Sequence, residues 1–202
     1  MALKFAVNNS LSAVTSLPAS IPTGSMTLLQ TQTASSSSTI EFTSNIDSTY
    51  DVYCFKFINI HTSADNVQFR VNFRDGGSSF DATKTTTMFT SQHYENDSTA
   101  NLAYNGGQDL AQSTSAQRLG NNLGNDNDQN GCGILFLYNP SSTTFVKHYI
   151  SRFQYAGENS GSLSSEQYSA GYCNTTTAID GVQFDTSSGT IDSGDIKLYG
   201  IS

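Results

Sequence analysis

Three histidines, three cysteines and seventeen acidic residues are the groups in this 202-residue chain whose chemistry could be put to use. His61, His93 and His148 are widely separated, and no two stand at a metal-ligand spacing. Each reads as a hydrogen-bonded structural histidine. Cys54, Cys132 and Cys173 are odd in number and match no zinc or Cys-x-x-Cys pattern. Cys54 and Cys132 sit in apolar runs, so the thiols read as small buried groups, with a disulfide through Cys173 as the alternative. Cleaving a glycosidic bond takes two carboxylates roughly 5–10 Å apart. The acids here mostly flank turns, and no pair stands out. A Gly-x-Ser-x-Gly elbow is missing as well. These patterns predict a protein that is not an enzyme and holds no metal and no cofactor.

The run Asn125-Asp126-Asn127-Asp128-Gln129-Asn130-Gly131 has alternating oxygen ligands and a glycine, as a calcium loop does. Such a loop also needs a glutamate further on, where this chain has the apolar run CGILFLY, so a solvated turn is expected. The nine Lys and Arg residues are scattered singly and the net charge is -8. Nucleic-acid binding through phosphates would need a basic patch, which the sequence does not offer. No apolar run approaches the roughly 18 residues of a membrane span, and the first nine residues do not read as a secretory signal. Ten tyrosines and no tryptophan are left to make contacts. Tyr94, Tyr104, Tyr155, Tyr168 and Tyr172 fall in or near polar segments. A rigid ring with a hydroxyl suits sugar or protein contact, so these five form the candidate ligand or partner surface.

The elements that must position them read as strands. Val67, Phe69, Val71 and Phe73 alternate with Gln68, Arg70, Asn72 and Arg74, giving one apolar and one wet face. Thr39–Thr43 is a shorter version. Tyr50–Ile60 and Cys132–Tyr138 are apolar on both parities, which predicts central strands covered on both faces. Further strands are expected at Leu28–Thr33, Thr83–Thr90, Thr144–Tyr155, Glu166–Tyr172, Ile179–Asp185 and Asp195–Ile201. Turn signals stand at Asp75-Gly76-Gly77, Asn139-Pro140-Ser141, Ala156-Gly157, Ser188-Gly189 and Ser193-Gly194. About ten strands with almost no helical period predict an all-β antiparallel sandwich of jelly-roll or lectin-like kind over residues 26–202.

Two regions depart from this rhythm. Residues 91–131 are polar and rich in Asn and Gly, and read as one long loop with room for a short helix over 101–117. Residues 1–25 carry Pro18 and Pro22 and the isolated apolar residues Leu3, Phe5, Val7, Leu11, Val14, Leu17 and Ile21. Their period is neither helical nor strand-like for long, so they read as a docking arm laid on another surface, or as an edge segment of the sandwich itself.

Four segments carry a resemblance: IDSTYD (46–51) running into YCFKFINI, FRDGG (73–77), LFLYNPSSTTFVKHYIS (135–151) and SSGTIDSGDIKLYGIS (187–202). Together they resemble the short virion structural proteins of marine and cyanobacterial tailed bacteriophages, of tail fibre-like or structural type. The resemblance covers about residues 39–202 and is weakest over the long loop. It implies a location and a role, with no catalytic residues to carry over. Expected is a capsid decoration or head-fibre knob, or a tail-associated one, docked by its N-terminal arm on other virion proteins. Such a protein is made in the host cytoplasm, assembles as a small homo-oligomer, a trimer first of all, and attaches to host glycans in some cases. Composition agrees: only 13% of residues are charged, and 81 of 202 are Ser, Thr, Asn or Gln. At 11% aromatics, the chain is not a disordered Ser/Thr-rich one. A carbohydrate-binding module is the alternative reading, allowed by the same sandwich and the same tyrosines.

Overall fold

The computed structural model describes residues 26–158 and 161–202. They form twelve strands: β1 (Thr27–Thr33), β2 (Thr39–Phe42), β3 (Val52–Thr62), β4 (Val67–Arg74), β5 (Lys84–Tyr94), β6 (Ala100–Tyr104), β7 (Gln117–Leu123), β8 (Gly131–Tyr138), β9 (Lys147–Glu158), β10 (Ser162–Cys173), β11 (Gly181–Thr186) and β12 (Ile191–Ile201). Every pairing is antiparallel. The expected all-β sandwich therefore forms. Its wide layer runs β1-β12-β3-β8-β9-β10-β5-β6, and its narrow layer runs β7-β4-β11-β2. A single pairing, Leu123 with Gly157, joins β7 to β9 and links the layers.

Alternation decides what lies between them. On β4 the odd residues Val67, Phe69, Val71 and Phe73 point inward and are buried. From the wide layer, Tyr53, Phe55 and Phe57 of β3, Leu135 and Leu137 of β8, and Tyr149, Phe153 and Tyr155 of β9 meet them. Phe57 lies edge-on to Phe69 at 5.3 Å, to Phe184 at 5.2 Å and to Phe153 at 5.9 Å. Each such ring contributes roughly 1.5–3 kcal/mol by burial, with edge-to-face contact adding to it.

The inner face changes character towards β10 and β5. There Lys147, Cys173 and Lys84 stand in one row across three strands, all buried. The Lys84 ammonium donates to Asn72 Oδ1 (2.8 Å) and to the Ala82 carbonyl (2.7 Å). That of Lys147 donates to the carbonyls of Thr175 (3.0 Å) and Thr177 (2.6 Å). Desolvation pushes Lys84 down to about 8 and the Cys173 thiol up to about 12.

Several sequence expectations are corrected. The stretch 91–131 is not one loop: it holds the end of β5, all of β6 and all of β7. No helix forms among the described residues. Ala156-Gly157 and Ser193-Gly194 are not turns but lie inside β9 and β12. Gly157 marks the close approach of the layers, because a Cβ there would sit 2.6 Å from the Asn122 carbonyl. Gly194, at φ +115, sits in a bulge where a Cβ would lie 2.5 Å from the Asn59 carbonyl. The Asn139 turn does form, with Asn139 at positive φ and its carbonyl accepting from the Ser142 N–H at 3.1 Å. All three cysteines are free, and Cys132 is exposed rather than buried. The arm residues Leu3, Phe5, Val7, Leu11, Val14, Leu17 and Ile21 lie outside the described residues.

Candidate docking face

The residues alternating with the core make up the outer face of the wide layer. One cross-strand row runs Lys197, Lys56, Ile134, Arg152, Tyr168, Phe89, Tyr104. The next runs Tyr199, Cys54, Phe136, Ile150, Ala170, Thr87. Beyond it, Val52 pairs with Tyr138 and His148 with Tyr172. Sequence reasoning gave β3 and β8 a cover on both faces. Among the described residues only the inner face has one. Ile150 is 49% exposed, Phe89 43% and Tyr138 36%.

The face is broad and shallow. One groove of about 410 Å³ lies over Thr85, Thr87, His148, Ile150, Ala170 and Tyr172, floored by small side chains. A second, of about 490 Å³, lies over Lys56, Ile58, Cys132, Ile134, Arg152 and Glu166. Charges on the face are tied to rings and to each other. Arg152 pairs with Glu166, and its guanidinium lies 5.5 Å from the Tyr168 ring centre. Glu166, by accepting the Arg152 Nε–H, holds the guanidinium above even its usual range. Lys56 Nζ lies 4.9 Å from the Tyr199 ring centre. Tyr168 and Phe89 stack face to face, 4.7 Å apart and 8° from parallel. One face of each ring is thus taken by the other, and Arg152 lies over Tyr168 as well. What remains towards solvent favours flat apolar contact over the stacking of a sugar ring on an open aromatic face.

The structure brings together three of the five expected tyrosines, Tyr104, Tyr168 and Tyr172, on this face. Tyr155 is corrected: it is 2% exposed, points inward and accepts the Asn121 N–H at 3.1 Å, and burial raises its phenol pKa. Tyr94 is half-buried and stands apart from these three, since it pairs with buried Leu163 on the opposite parity. Phe89, Ile134, Phe136, Tyr138 and Ile150 belong to the face as well, though the residue pattern places them only in strands, with those of β8 expected under cover. Their signal was the double apolar parity of β8 and the mixed pattern of β5 and β9.

A small polar cavity of about 100 Å³ lies behind the β5–β6 hairpin. Gln92, Asn101, Asn105, Gln108, Asn121 and Tyr155 line it. Asn105 donates to Thr90 Oγ1 at 2.6 Å, while the buried Gln108 Oε1 accepts nothing among the described residues. The Asn/Asp run is a turn in which Gln129 N–H donates to the Asp126 carbonyl (2.8 Å). His61 Nε2 reaches that same carbonyl at 3.3 Å, and its Nδ1 lies 3.6 Å from Asp192 Oδ2. Among the described residues no three His, Cys, Asp or Glu side chains gather as a metal site would require. No protein-family model, no curated protein and no solved structure matches the chain.

Proposed function

We propose that the chain is a non-enzymatic virion structural protein of a tailed bacteriophage, a β-sandwich knob that docks on the particle as a head decoration, head fibre or tail component. The observation that carries this reading is the outer face of β3, β8 and β9. It carries partly exposed apolar and aromatic side chains around Lys56 and Arg152, in a chain poor in charge, and the described residues leave them open. A patch of this kind on a protein otherwise covered in hydroxyls and amides marks a contact surface. The four resembling segments point the same way, and residues 2–25, with their isolated apolar side chains, supply a second element for docking. Mass spectrometry and immunogold labelling of separated heads and tails test the reading. The protein is expected in purified particles at a fixed copy number in one of the two fractions. Its absence from purified particles contradicts the proposal.

One observation favours a second reading, that of a carbohydrate-binding module. The cavity behind the hairpin is lined by amides and a tyrosine hydroxyl without charge, which is the chemistry that meets a neutral polyhydroxylated ligand. A glycan array probed with folded protein decides. Binding that is lost in Asn121→Ala supports this reading, and no binding to any glycan rejects it.

A further inference from the structure

The edges of the two layers are not alike. β1 is interrupted by a bulge between Leu28 and Gln30, and its Gln32 side chain donates to the Glu41 carbonyl of β2. β2 is four residues long. β7 shifts register along β4 and is held to β9 by the Leu123 bridge. These are the devices by which sheets avoid pairing with other chains. β6 is short as well, at five residues, but among the described residues it has no bulge, no bridge and no cover. Its pairing with β5 runs from Tyr104 to Ala100 without a register shift. It holds no proline and no charged residue, and all five of its residues are exposed. Leu102 is 71% exposed and Tyr104 60%.

The direction of the free backbone groups follows from the ladder. Asn105 N–H donates to the Met88 carbonyl and Tyr94 N–H to the Thr99 carbonyl, each at 3.0 Å. Antiparallel pairs alternate between bonded and non-bonded, so Asn101 and Ala103 spend their backbone groups on β5. The N–H and C=O of Ala100, Leu102 and Tyr104 then point to the open edge.

We infer that this edge pairs with the same edge of a second copy of the chain, about a two-fold axis through Leu102. In that register Leu102 faces Leu102 of the other copy, and each facing pair on the open side exchanges two hydrogen bonds. The bulkiest side chain of the strand, Tyr104, falls opposite a small one, Ala100, and Asn101 falls opposite Ala103. No like charges meet within the paired segment. The two wide layers become one continuous sheet, and the apolar outer side chains of β6 gain cross-strand neighbours from the other copy. Five residues per copy make a contact well below the roughly 1,600 Å² of a standard interface, so the dimer is a weak one. A two-fold pairing makes pairs, and it does not supply the trimer that the resemblance implies.

The test uses the full chain carrying Cys132→Ser, which removes the exposed thiol. Sedimentation velocity from low to high micromolar concentration should show a monomer–dimer equilibrium, weakened at least tenfold by Leu102→Lys while the thermal transition stays in place. Facing residues in this register are hydrogen-bonded pairs with Cα and Cβ atoms about 5.5 Å apart, wider than a relaxed disulfide but within the span of a short bis-thiol cross-linker. Such a reagent should therefore link Leu102→Cys into a covalent dimer. Ala100→Cys alone should not, because it faces Tyr104, but the double variant Ala100→Cys with Tyr104→Cys should. The inference is overturned by a monomer at all concentrations, by a dimer or trimer indifferent to Leu102→Lys, or by equal cross-linking of the two single cysteine variants. Dimerisation seen only after deletion of residues 2–25 would assign the edge to that segment and overturn it too.

Discussion

The two faces of the wide layer carry the same kinds of residue and come to different ends. On the inner face, Phe57 touches three other rings from both layers and is closed off from water. On the outer face, Phe136 lies 6.4 Å from Tyr138 and the Phe89–Tyr168 stack has the Arg152 guanidinium beside it, with all four rings partly open to solvent. Apolar surface that stays wet in the folded chain adds little to stability. In our proposal, its presence across several strands of an otherwise hydroxyl- and amide-rich protein reflects what it contacts after folding. The contrast separates residues that hold the fold from residues that we propose serve association.

The contrast can be broken most forcefully from the inside. Phe57→Ala should cost about 3–5 kcal/mol, since a cavity opens among four packed rings. In thermal unfolding this amounts to a loss of roughly 10 °C or more for a domain of this size. A drop of under a few degrees would mean that the two faces are energetically alike.

Smaller, and specific to the polar end of the inner face, is the effect of pH through Lys84. Its folded-state pKa is depressed to about 8 by desolvation, below the ordinary lysine value of 10.5. Between those values the unfolded chain binds the extra proton, so this group's contribution to stability rises with pH across that window. Below about pH 8 both states are protonated and the cost of burying the charge is present in full. Buried Cys54 and Cys173, whose thiols are pushed up to about 11 and about 12, pull the other way at alkaline pH. The informative quantity is therefore the difference from Lys84→Met. From pH 8 to 10.5 wild type should gain on the variant by an amount of order 2–3 kcal/mol. A constant difference across the range, measured by urea unfolding, would show that Lys84 is not desolvated.

The smallest effect is the most telling for the outer face. Ile150→Ser should change stability by less than about 1 kcal/mol, because half of the side chain is already in water. In the same native protein a thiol reagent should modify Cys132 within minutes and leave Cys54 and Cys173 untouched until unfolding. Rapid labelling of all three thiols would mean that Cys54, beneath its outer-face neighbours, and Cys173, in the core, are not buried as described.

Much of this arrangement was legible in residue order. The alternation of Val67 to Phe73 placed β4 and its buried face correctly, and ten of the twelve strands followed from similar patterns. β7 was missed because its residues are mostly polar, with only Leu119 and Leu123 in the core, and β6 because its five residues are few, show no alternation and bury nothing. Such strands are held by their neighbours' ladders rather than by an apolar period of their own. Ser193-Gly194 looked like a turn because the same glycine freedom serves a bulge. Tyr155 was readable in hindsight, since it continues the inward parity of Tyr149 and Phe153. The docking face was hidden by a sound inference that failed. Apolar residues on both parities of β3 and β8 say that both faces meet something apolar, and residue order does not tell whether that partner belongs to the same chain. Nor does it show Lys84 and Lys147 as buried: Lys84 is met by the Asn72 side chain of β4 and the nearby Ala82 carbonyl, and Lys147 by the carbonyls of Thr175 and Thr177 some thirty residues on.

The most direct test of the docking face is a competition during particle assembly. Wild-type chain and a chain carrying Ile134→Ser, Tyr138→Ser and Ile150→Ser, distinguished by isotope label, are supplied together in equal amounts to assembling particles. Both are first checked for similar thermal transitions. If the outer face docks, purified particles should contain wild type in at least tenfold excess over the variant. Equal incorporation of the two, at equal stability, would contradict the assignment of the outer face as the surface that binds the particle.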